Sequence, residues 1–77
     1  MGHKLHRRHG LTTRQREVLT GLRDGVSFVD IATELGVSRQ RVAELAAYLV
    51  NEKLASREDG RYIPTLAGMD LLERLGE

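Results

Sequence analysis

Ser38, Arg39, Gln40, Ala43 and Ala47 fall on one stripe of a helical repeat, and their side chains suit contact with the edges of base pairs. An arginine fork can donate two hydrogen bonds to guanine, a glutamine amide can pair with adenine, and alanine methyls can touch thymine. Each good bidentate pair is worth about 1–3 kcal/mol of discrimination. On this reading Arg39, Gln40 and Ala43 meet bases, while Ser38 and Arg41 hold the sugar-phosphate backbone. The plainer account of the same stripe is a solvated helix face. The spacing of the residues before and after it favours the first account.

Those neighbours form the run Val29 to Leu49, in which two helices would be joined by a tight turn. Helices that cross at about 8–10 Å leave little room for a long side chain, and Ala32 supplies a small one. Gly36 can take the positive φ that ends the first helix, and Val37 plugs the turn from the core side. Ser38 is a good N-cap for the second helix, whose Val42, Leu45 and Leu49 form one apolar stripe. The opposite stripe is left outward.

Upstream, Thr12 and Gln15 have capping-box spacing, and Val18, Leu19 and Leu22 follow at helical intervals until Asp24-Gly25. Ser27 and Asp30 open the next helix, with Val26 and Phe28 suggesting a short strand before it. Downstream of Lys53 the period changes. Leu54 to Arg57 and Arg61 to Ile63 flank Asp59-Gly60, a strong hairpin signal. Such a hairpin is marginal alone, so Leu54, Tyr62 and Ile63 should pack against the helices. Thr65 then caps a last helix in which Leu66, Met69 and Leu72 are expected to reach the core, with Leu71 and Leu75 pointing partly elsewhere. The predicted fold is mainly α with a small β-hairpin: a three-helix core containing a helix-turn-helix, a wing and a C-terminal helix.

Residues 1–10 have too few apolar side chains to fold alone and are read as a flexible basic arm bearing Lys4, Arg7 and Arg8, or as an inert leader; residues 11–77 form one small domain. Net charge is +1, but it is divided unevenly. Eight Lys or Arg against four acids leave residues 1–41 at +4, and four against seven leave the remainder at −3. This asymmetry suits a basic face opposite an acidic back. Arg57 and Arg61 flank the hairpin tip and Arg16 lies on the first helix. All three are candidate phosphate contacts, against the plainer account that the wing arginines pair with Glu58 and Asp59.

The segment LTTRQREVLTGLRDGVSFVDIATELGVS resembles the LuxR-type DNA-binding domain, and VSRQRV is similar to region four of bacterial sigma factors. VNEKLASREDGRYIPTLAGMDLLERL resembles instead the end of a winged-helix domain of the MarR kind. Together the resemblances span Leu11 to Leu75. They imply a winged helix-turn-helix that binds double-stranded DNA in a sequence-specific way, as a small bacterial or phage transcriptional regulator or accessory factor. In such domains the wing rests on phosphates or enters the minor groove.

Catalysis is not expected, since no Gly-rich phosphate loop is present and all three histidines precede Leu11. No cofactor or metal is expected either. His3, His6 and His9 recur every third residue but have no carboxylate beside them. The chain has no cysteine, which suits a reducing cytoplasm, and no run long and apolar enough for a membrane span or signal peptide. A single module buries about 600–1,000 Å² on DNA, so a homodimer on a two-fold site is the natural way to gain affinity. Leu71 and Leu75 either supply that contact or complete the core of their own chain. The alternative function is a winged helix that binds or inhibits another macromolecule, favoured by Glu44 and the scarcity of cations after Arg41. A continuous positive face through Arg16, Arg39, Arg41, Arg57 and Arg61 would favour DNA. An interrupted face with an exposed apolar patch would favour protein.

Overall fold

Four hydroxyl side chains start the four helices among residues 11–76, the part of the chain described by this computed structural model. The elements run α1 (Thr13–Arg23), α2 (Phe28–Leu35), α3 (Arg39–Asn51), β1 (Ala55–Glu58), β2 (Arg61–Pro64) and α4 (Leu66–Arg74). Thr12, Ser27, Ser38 and Thr65 are extended, and each accepts a hydrogen bond from the amide three residues on. Each cap satisfies one amide that has no partner inside its helix. At α1 the capping box is complete, because the Thr12 amide also donates to Gln15 Oε1 at 2.8 Å.

The first three helices also end alike. Val26, Val37 and Leu54 donate their amides to Gly21, Ala32 and Leu49, five residues back, at 2.9, 3.1 and 2.9 Å. This is the long bond of the Schellman motif, which needs a left-handed residue just before the donor. Gly36, at φ 70°, takes that conformation without steric cost, whereas Lys53 takes it at φ 66° with a side chain attached. The donors Val26, Val37 and Leu54 then pack against the core, so each helix end aims an apolar residue inward.

The core gathers Val18, Leu19 and Leu22 of α1, Ile31 and Ala32 of α2, Val42, Leu45, Ala46 and Leu49 of α3, Ala55 of β1 and Leu72 of α4. Ala46 joins the stripe foreseen for α3 because it lies four residues from Val42 and three from Leu49. Ala32 is buried as a helix crossing requires. A tighter approach is at Gly21, where a Cβ would lie 2.7 Å from Ile31 Cδ1.

β1 and β2 pair antiparallel, with Glu58 opposite Arg61 and Ala55 opposite Pro64. Asp59 (φ 53°) and Gly60 (φ 75°) make the two-residue turn, both left-handed as a type I′ hairpin needs. The order of three helices, hairpin and final helix is compatible with winged-helix topology, and the chain is mainly α with one small hairpin.

Three expectations are corrected. Val26 and Phe28 form no strand, because Ser27 caps α2 at once and makes Phe28 its first residue. An open cleft of about 380 Å³ is lined by Gly25–Phe28 on one side and Arg61–Ile63 on the other, in place of a shared ladder. In α4 the inward residues are Gly68 and Leu72, which leaves Leu66 89% and Met69 44% exposed. Gly68 sets that rotation, because a Cβ there would collide with the Leu54 carbonyl oxygen. Leu71 and Leu75, three and seven residues after Gly68, are half-buried on the inward side, whereas Leu66 stands nearly opposite. Ile63, expected to pack inward, is 37% exposed, while Leu54 and Tyr62 pack against the core.

Two substitutions test this backbone. Gly68→Ala should lower unfolding stability by about 1–3 kcal/mol or more, since backbone must move to admit the methyl. Lys53→Gly should raise it by about 1 kcal/mol by relieving the left-handed conformation. Denaturant titration of both variants checks the signs.

Candidate nucleic-acid interface

α3 presents its outer face because Val42, Leu45, Ala46 and Leu49 commit the other side to the core. Gln40, Glu44, Ala47 and Asn51 recur at four, three and four residues, and all are exposed, so they form the central row of that face. Arg39 and Arg41 are exposed on either side of it. Ala43 is half-buried at its edge, so its methyl sits at the rim. Glu44 and Asn51 were not among the expected contacts, although counting four and eleven residues on from Gln40 places both beside it.

The first turn of α3 is held by Ser38, whose Oγ accepts the Arg41 amide at 3.0 Å and keeps its hydroxyl proton for donation. Among the described residues, the side chains of Arg39 and Gln40 make no hydrogen bond or ion pair, so their donors are available to a ligand. Arg41 differs. Its Nη1 donates to Glu44 Oε1 at 3.1 Å, with side-chain exposures of 53% and 54%. A pair this exposed contributes little to stability, but it brings two opposite charges together on the outer face.

The wing arginines are held differently from one another. Arg57 lies over the Tyr62 ring, 5.4 Å from its centroid, an attraction between cation and aromatic face. Arg61 is exposed beside the turn. Among the described residues neither pairs with Glu58 or Asp59, and Glu58 Oε2 accepts instead from Ser56 Oγ at 3.4 Å. Tyr62 in turn packs on Phe28, with ring centroids 5.3 Å apart and planes tilted by 34°. The wing is thereby fastened to the start of α2.

The chain matches no family model, and no curated protein is significantly similar to it. Arg16 is half-buried on α1, with its Nε enclosed, so it does not project as the other arginines do. Lys4, Arg7, Arg8 and the spaced histidines lie outside the described residues. The Arg23 guanidinium, hydrogen-bonded to Asp24 at 2.9 Å, holds that carboxyl below its ordinary range. Among the described residues no group of three or more His, Asp or Glu could hold a metal ion.

The ring contact between Phe28 and Tyr62 should govern how firmly the wing is held. Aromatic pairs contribute about 0.5–1.5 kcal/mol beyond their buried area, so Phe28→Ala should cost at least that much. Amide hydrogen exchange should accelerate in residues 56–63 more than in α3. Uniform acceleration would show that the ring serves the whole core.

Proposed function

We propose that this chain is a sequence-specific double-stranded DNA-binding module, a small transcriptional regulator or accessory factor of bacterial or phage type working in the cytoplasm. The observation that carries the reading is the outer face of α3, which opens with the exposed, partnerless side chains of Arg39 and Gln40 beside a capped first turn. In this reading α3 lies in the major groove, where Arg39 and Gln40 read bases and Ala43 meets a thymine methyl from the rim. Ser38, Arg41, Arg57 and Arg61 hold the backbone, and Arg16 contributes less because it is half-buried. No helix among the described residues is long and apolar enough to cross a membrane.

A winged helix that contacts protein is the second reading. It is favoured by the exposed Leu66 and Met69 on α4, and by Glu44, which breaks the run of cations on α3. If the module dimerises, Leu66 and Met69 are better placed for the contact than the half-buried Leu71 and Leu75.

Selection of bound fragments from random duplex DNA at two salt concentrations separates the readings. An enriched motif with salt-dependent affinity is expected from the first. Absence of enrichment, with weak binding even at low salt, would support the second. Within the first reading, Gln40→Ala should alter preference at one position. Arg61→Ala should weaken all sequences alike and reduce the log–log salt slope by about 0.9, one phosphate's share. Equal losses on every sequence for both variants would refute this division of roles.

A further inference from the structure

Glu44 stands on the central row of the face assigned to DNA, one turn after Gln40. A carboxylate there is unfavourable if it meets only phosphates, since it repels them and releases no counterions. Two features of its setting change that account. The ion pair with Arg41 offsets its charge locally, and it uses Oε1 alone. Among the described residues, Glu44 Oε2 accepts no hydrogen bond, so one lone-pair-bearing oxygen remains on an exposed carboxylate.

We infer that Glu44 is a specificity-determining residue that accepts a hydrogen bond from the N4 amine of cytosine, in the base step next to the one read by Gln40. This rests on the proposed DNA-binding function. The choice of base follows from donor and acceptor patterns. In the major groove exocyclic amines are offered by cytosine N4 and adenine N6, but adenine also offers its N7 acceptor alongside. An ionised carboxylate has only acceptors, so it leaves adenine N7 unanswered and repelled. Glutamine carries both a donor and an acceptor and suits adenine. The four-residue separation of Gln40 and Glu44, about 6 Å of helix rise, lets their side chains reach neighbouring bases. Thymine and guanine present carbonyl oxygens, which a carboxylate repels. Glu44 therefore selects as much by exclusion as by attraction.

Selection from random duplex DNA with the full chain, its Glu44→Ala variant and its Glu44→Gln variant tests the assignment. The native chain should enrich a motif with one position at which cytosine is preferred by about tenfold. Glu44→Ala should flatten that position alone, leave the remaining positions unchanged and bind non-cognate DNA more tightly at low salt. Glu44→Gln should move the preference at that position towards adenine. Because the side chain is exposed, thermal melts of both variants should match the native chain. An enriched native motif that neither variant alters would overturn the role of Glu44 and leave the DNA-binding reading standing. Failure of the native chain to enrich any motif would overturn both.

Discussion

The corner at Lys53 and Leu54 determines how the last three elements meet α3. The Leu54 amide closes the end of α3 on Leu49, and its carbonyl accepts the Thr65 amide at 3.0 Å. Thr65 Oγ1 donates to the Lys53 carbonyl at 2.7 Å while accepting from the Gly68 amide at 3.1 Å. Two adjacent peptide units thus join the end of α3, the base of the hairpin and the start of α4. Gly68 must approach closely for these bonds to form, and that approach fixes the rotation of α4. The direction in which the wing leaves α3, and the apolar side chains that α4 leaves exposed, both follow from this corner.

Local chemistry was legible in the sequence where one residue type has a single economical use. Thr12, Ser27, Ser38 and Thr65 could be placed as caps because a hydroxyl beside an apolar repeat satisfies an amide that the helix cannot. Asp59-Gly60 marked its turn because both positions need positive φ. The rotation of α4 was not legible, since Leu66, Met69, Leu71, Leu72 and Leu75 offer several apolar stripes of similar quality. A contact between Gly68 and the distant Leu54 carbonyl chooses among them. The absence of a strand at Val26–Phe28 has a similar origin, because alternation over three residues competes there with a cap that already starts the helix. On the outer face of α3 the polar residues could be anticipated from periodicity, but the half-burial of Ala43 there, and of Arg16 on α1, depends on how neighbouring elements close around them.

Charge on this module is arranged in pairs and single groups, which have different uses. Arg39 and Arg61 carry their charge without a partner among the described residues, so they meet an anion at full strength. Arg41 reaches the surface with a carboxylate beside it, and an anion that approaches Nη1 competes with Glu44 for that nitrogen. Towards a nucleic acid, cations of the first kind would supply affinity that salt weakens for every sequence. A coupled pair would offer a donor and an acceptor side by side, which favours one local pattern over others. For the proposed DNA-binding role, a modest net charge is therefore no obstacle to selectivity, although it would limit the binding that all sequences share.

The stack of Phe28 on Tyr62 also bears on the order in which the molecule assembles. Caps and helix ends join near neighbours in the chain, whereas this contact brings together α2 and a strand that follows α3. Closing so long a stretch costs conformational entropy that helical turns do not. The first three helices can thus organise before this contact closes. The hairpin is consequently a latch laid over the first three helices, closed by one ring-on-ring contact.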